Sequence, residues 1–256
     1  MNRLFSFVIA VIIAAPLMAQ TQQGERILLP VFTPPVHGAF GSEFHTDLRV
    51  ANNSQDIAIL IGLQHSHCPF CPPDHGDLPY LLNAGDEIKP EDVLLNGTPG
   101  RFLYVGTETL NTLSMNLRVY DVNRDEQNFG TEIPIVRESD FATNRIDFVG
   151  VPTDPRFRNT LRIYSPFPGN VLVTVGNHPS VLVALKGGIS FGGSLDLFNP
   201  AYAMFTNFPV GSAPVRVTVE KDPSIISLLP IEVPLWAFIT VTNNDTQVIT
   251  TITPQP

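Results

Sequence analysis

Phe44-His45-Thr46-Asp47-Leu48-Arg49-Val50-Ala51 alternates polar positions with apolar or small ones. Successive side chains of an extended chain point to opposite faces, so Thr46, Leu48 and Val50 share one face and His45, Asp47 and Arg49 the other. Turn-forming Asn52-Asn53-Ser54-Gln55-Asp56 follows, and then the apolar run Ile57-Ala58-Ile59-Leu60-Ile61. This pattern predicts strand, turn, strand. It recurs three times. Leu161-Arg162-Ile163-Tyr164 leads through Ser165–Asn170 into Val171-Leu172-Val173-Thr174-Val175. Leu117-Arg118-Val119-Tyr120 leads through a polar loop into Thr131-Glu132-Ile133-Pro134-Ile135-Val136, and Phe238-Ile239-Thr240-Val241 leads through Thr242–Asp245 into Val248–Ile252. No stretch carries a convincing helical period.

The offsets order these units. Leu48 precedes Leu161 by 113 residues, and Leu117 precedes Phe238 by 121. An opening hairpin and a closing hairpin thus each repeat once at nearly one period. The simplest account is a duplicated domain of about 110 residues, the size of an immunoglobulin-like sandwich. The expected fold class is all-β: two tandem antiparallel immunoglobulin-like β-sandwiches, residues 25–137 and 145–254, joined by a linker at 138–144. The linker is polar apart from Phe141 and Ala142.

Arg156–Tyr164 and Trp236–Asn243 resemble the opening and closing strands of tandem immunoglobulin-like β-sandwich repeats in secreted, mostly uncharacterised bacterial proteins. Phe44–Asn52 resembles the same opening strand in the first repeat. The resemblance covers most of the chain but rests on structural positions. It implies fold and export, and it implies no catalytic residue.

Composition supports this picture. Proline accounts for 24 of 256 residues, above the usual ~5%, and proline breaks helices. Hydrophobic residues make up 43%, enough for a packed core. The first nineteen residues read as a signal peptide: Arg3, an apolar run from Leu4 to Pro16, and Ala19 just before a cut at Gln20. That run is shorter than the ~20 residues needed to span a bilayer, and no later segment is apolar enough, so the mature chain is expected to lack a transmembrane segment. The expected location is secreted, periplasmic or at the cell surface. The net charge of −9 argues against nucleic acid and anionic membranes, which attract basic patches. The expected partner is a protein or a cell-envelope component.

One segment concentrates reactive chemistry. His65-Ser66-His67-Cys68-Pro69-Phe70-Cys71-Pro72-Pro73-Asp74-His75 holds three of the six histidines and both cysteines. In an oxidising compartment Cys68 and Cys71 can close a small disulfide. Alternatively His65, His67, Cys68, Cys71 and His75 can supply the four thiolate and imidazole ligands that zinc or copper takes. Cys-Pro-Phe-Cys also spells a redox dithiol, but that chemistry needs a helix start after a strand, and Pro72-Pro73 follows instead. Asp121, Asn123, Asp125 and Glu132 fall at positions one, three, five and twelve of a calcium-loop pattern. Position six is Glu126 where that loop needs glycine. Gly188-Ile189-Ser190-Phe191-Gly192 matches a nucleophile elbow, yet the last histidine, His178, lies upstream of it. Asn52, Asn96 and Asn244 head Asn-x-Ser/Thr patterns and read first as turn residues. Trp236, in register with Phe238, reads as core. No catalytic set is assembled, and the expectation is a non-enzymatic protein.

Overall fold

The computed structural model describes residues 24–63, 79–93, 98–127, 129–187, 198–223 and 234–254, the side chains of 125–127 excepted. The described chain is predominantly β, and its strands pair antiparallel. In chain order the strands are β1 (Gly24–Pro30), β2 (Val36–His37), β3 (Glu43–Asn52), β4 (Ala58–Ile61), β5 (Tyr80–Leu82), β6 (Glu87–Ile88), β7 (Gly100–Gly106), β8 (Leu113–Asp121), β9 (Thr131–Glu132) and β10 (Val136–Arg137). They continue as β11 (Arg145–Val151), β12 (Phe157–Ser165), β13 (Gly169–Val175), β14 (Val181–Gly187), β15 (Ala201–Phe205), β16 (Val215–Lys221), β17 (Trp236–Asn243) and β18 (Ile249–Ile252). Among the described residues no helix is long and apolar enough to cross a membrane.

Strand pairing repeats element for element. In the N-terminal half one sheet runs β1-β7-β4-β5, and the other runs β6-β3-β8-β9. In the C-terminal half the corresponding runs are β11-β16-β13-β14 and β15-β12-β17-β18. Eight strands therefore recur in the same sequence order and with the same neighbours. Two short strands are extra: β2 extends the second sheet beside β3, and β10 extends the first beside β1. A second difference lies at the corner. β14 pairs with β15 through Lys186↔Tyr202 and Gly187↔Ala201, which joins the two C-terminal runs into one eight-stranded sheet.

The sequence units fall on these strands, with one correction. β8–β9 and β17–β18 are true hairpins, paired at Arg118↔Glu132 and at Thr240↔Thr251. The opening units are not hairpins. β3 pairs with β8 in register Leu48↔Leu117, whereas β4 lies in the other sheet beside β5 and β7. β12 likewise pairs with β17, at Leu161↔Ile239, and β13 lies beside β14 and β16. Alternation and turn residues specify a strand and a reversal of direction; they carry no information about which strand fills the ladder. In both halves the chain instead leaves one run of strands for the other.

Two hydrophobic cores result. Leu28, Leu48, Leu60, Phe102 and Leu117 lie in the first, and Phe148, Leu161, Val173, Val219 and Ile239 in the second. β3 shows the expected alternation, with Thr46, Leu48 and Val50 buried and Arg49 exposed. β17 does not alternate, because all seven residues from Trp236 to Thr242 are buried. Ala237, Ile239 and Val241 enter the second core, whereas Trp236 and Phe238 enter the first. A strand covered on both faces reads as a continuous apolar run rather than an alternating one.

Candidate functional site

The β4–β5 connection carries the His/Cys segment. Leu60 pairs with Tyr80, so both ends of the intervening chain are held side by side. Eighteen residues, 62–79, separate these strands, against five, 176–180, between the equivalent β13 and β14. The insertion is thus confined to one hairpin of one repeat. Its base is built in: Leu63 is buried in the first core, and Arg101 donates from Nε to the Gly62 carbonyl. His65, His67, Cys68, Cys71 and His75 themselves lie outside the described residues, and so do the Cys68–Cys71 disulfide and the metal set expected of them. Ser190 and its flanking glycines, Asn96 and the first nineteen residues are outside as well.

Two members of the calcium pattern are occupied with fold chemistry. Asp121 Oδ1 accepts the backbone N–H of Glu43 at 3.0 Å and of Asn123 at 3.1 Å, and Oδ2 accepts Nη1 of Arg124 at 2.7 Å. Burial works against the charged carboxylate, but these donors, together with Ser42, hold its pKa below the ordinary value. Asn123 donates its side-chain amide to the Gly41 carbonyl at 2.7 Å. The two residues therefore tie the turn after β8 to the 39–43 segment. Glu132 is exposed on β9, cross-strand from Arg118, and the Asp125 side chain lies outside the described residues. Among the described residues no three His, Cys, Asp or Glu side chains are gathered to hold a metal ion.

Asn52 ends β3, and its side chain is spent on the turn that follows. It is 1% exposed, and its amide nitrogen donates to the carbonyls of Asp56, Leu82 and Asn83. A glycan would need that nitrogen. Asn244 similarly donates to the Pro155 carbonyl at 2.9 Å. His178 sits in the short turn between β13 and β14, where its N–H bonds to the Val175 carbonyl.

Aromatic side chains gather at the junction between the repeats, which the sequence pattern did not single out. Even-numbered residues of β12 face the first repeat. Tyr164 is fully buried and donates its hydroxyl to the Pro99 carbonyl at 3.1 Å. Its ring lies 5.1 Å from Tyr202, 5.9 Å from Trp236 and 6.4 Å from Phe238, the last in stacked orientation. Phe198 completes the contact from the second repeat: its carbonyl accepts the Phe102 N–H at 2.6 Å, and its ring meets Tyr104 edge-on. Thr131 Oγ1 donates to the Ile249 carbonyl, bringing β9 against β18. The connecting segment is pinned at both ends. Glu138 pairs with Arg26 through both carboxylate oxygens, Phe141 is buried against Phe102, and Ala142 exchanges backbone hydrogen bonds with Leu235.

No family model, no curated protein and no solved structure matches this chain. What can be stated of its class is a predominantly β, antiparallel protein whose described strands repeat one eight-strand pairing pattern twice.

Proposed function

We propose that this chain is an exported, non-enzymatic protein of two immunoglobulin-like β-sandwiches, serving a structural or surface-interaction role. The observation that supports this reading best is the strand-for-strand repetition across a buried junction. Tyr164, Phe198 and the pinned connecting segment hold the two repeats as one unit, a construction suited to presenting loops in fixed relation. The partner is a protein or a cell-envelope component, met outside the inner membrane after removal of residues 1–19. In this reading Cys68 and Cys71 form a disulfide that stiffens the long β4–β5 connection.

A second reading has its own support in the confinement of the insertion to that hairpin. β4 and β5 hold the ends of the connection together, which lowers the ordering cost for a site built from His65, His67, Cys68, Cys71 and His75. There the protein would bind zinc or copper. Elemental analysis of natively purified protein separates the two, with a Cys68→Ser/Cys71→Ser variant as control. Negligible zinc and copper in both proteins supports the interaction reading. Stoichiometric metal that the variant loses overturns it in favour of the metal-binding one.

A further inference from the structure

A cleft of about 300 Å³ opens where the two repeats meet, beyond the aromatic contacts of Tyr164. One wall is the junction face of β12 and β17. Arg158, Thr160 and Arg162 stand at alternate positions of β12, and Thr240 and Thr242 stand opposite them. The other wall comes from the first repeat and is mainly apolar, including Val31, Phe44, Val119 and Ile133. A volume of this size with an apolar wall and a few convergent polar groups suits a small ligand.

The charge is unusual for this chain, which carries 24 acidic residues against 15 basic ones. Arg26, Arg49, Arg124, Arg137, Arg145, Arg156 and Arg216 each pair with a carboxylate. Arg118, Arg158 and Arg162 pair with none among the described residues, and the last two line the cleft. Arg162 is half-buried, donates to Thr240 Oγ1 at 2.8 Å and lies over the Phe238 ring at 5.8 Å. It also donates to the Tyr202 hydroxyl, whose pKa is raised by burial against the opposing effect of this guanidinium. Arg158 is exposed and its guanidinium makes no hydrogen bond with any described residue, so it is free to meet a ligand at the mouth of the cleft. A guanidinium matches a carboxylate with two parallel donors, and it does so best beside low-dielectric walls.

We propose that this cleft binds a small organic carboxylate, its charged end on Arg158 and Arg162 and its apolar body against the first repeat. The proposal is independent of the interaction role: neither the metal content nor the export of the chain bears on it.

Calorimetric titration with hexanoate, hexanamide and inorganic phosphate tests the assignment on wild type, Arg158→Gln, Arg158→Lys and Arg162→Gln. Wild type is expected to bind hexanoate, and either glutamine variant to bind it about tenfold to a hundredfold more weakly, the loss of one charge-assisted contact. Hexanamide is expected to bind more weakly than hexanoate, and Arg158→Lys to recover part of the affinity. Arg158→Gln removes no contact seen within the fold, so its melting temperature should match wild type and it decides the test even if Arg162→Gln fails to fold. Wild type that does not bind hexanoate, or an Arg158→Gln variant that binds it equally well, overturns the proposal. Phosphate binding as tight as hexanoate overturns the role given to the apolar wall.

Discussion

Replacing Tyr164 with alanine should destabilise the whole molecule rather than one repeat. The side chain is fully enclosed in the first core, although β12 of the second repeat carries it, with three aromatic neighbours and a hydroxyl on the Pro99 carbonyl. Truncating a buried aromatic residue to alanine costs about 3–5 kcal/mol, through lost transfer energy and the cavity left behind. For a protein of this size that corresponds to roughly 2–4 °C of melting temperature per kcal/mol, hence a drop of about 6–20 °C. Tyr164→Phe isolates the hydroxyl. The Pro99 carbonyl keeps a second donor, the Val31 N–H at 3.0 Å, so the expected loss is near the net value of one hydrogen bond, about 1 kcal/mol. Scanning calorimetry with urea unfolding as a second probe measures both. Wild type is expected to unfold in one transition; the alanine variant should broaden or split it, because β12 of the second repeat carries this ring into the core of the first. A melting temperature lowered by less than about 2 °C in Tyr164→Ala would refute the claim that this contact fastens the repeats.

Other consequences follow from named contacts. A methyl group at Gly100 would sit 2.8 Å from Cε1 of Tyr164, so Gly100→Ala should cost about 1–3 kcal/mol. Combined with Tyr164→Ala the cost should shrink, and a double-mutant cycle in urea reads that coupling; strict additivity contradicts it. Asp147 accepts hydrogen bonds from Arg145, Arg216 and Thr218, and these hold its carboxyl well below the usual range against the opposing effect of burial. A depressed carboxylate pKa contributes stability that is present above the unfolded value of about 3.9 and is lost as pH falls below it. Asp147→Asn should therefore cost about 1 kcal/mol at neutral pH, with the difference from wild type vanishing in unfolding curves taken in increasingly acid buffer. Glu138→Gln weakens the paired contact with Arg26 that pins the connecting segment and should cost about 1–2 kcal/mol; an unchanged urea midpoint would show the pin to be dispensable.

Much of this fold is legible in the amino-acid order, and what is hidden is hidden for physical reasons. The alternation of residues 44–51 marks β3 because one face is wet and the other dry. Trp236–Thr242 gives no such signal, since repeat one covers the face that alternation would leave polar. The order of the repeated units is visible in the Leu48–Leu161 and Leu117–Phe238 spacings, but the second is one residue out: Leu48 pairs with Leu117, and Leu161 pairs with Ile239, while Phe238 faces the other core. Partner choice is not encoded locally, which is why β3–β4 and β12–β13 look like hairpins and are not. The two apolar residues of the connecting segment, Phe141 and Ala142, were its informative positions: Phe141 is buried in the first core and Ala142 packs against the second. The cleft leaves one trace in the sequence: Arg156-Phe157-Arg158-Asn159-Thr160-Leu161-Arg162 holds three arginines and no acid in an acidic chain. That imbalance was a usable signal, but the wall facing it comes from Val31, Phe44 and Val119, far away in the chain. The reactive His65–His75 segment is the reverse case, conspicuous in sequence and placed by the described structure only through its two ends.

A native mass spectrum of the protein collected from outside the cytoplasm of an expressing bacterium is the most direct test. Export with a stiffened β4–β5 connection predicts a chain beginning at Gln20, lighter by the two hydrogens lost on joining Cys68 to Cys71, with no zinc or copper bound. A chain retained in the cytoplasm with residues 1–19 attached, or an exported chain carrying one metal ion on reduced Cys68 and Cys71, would contradict the account.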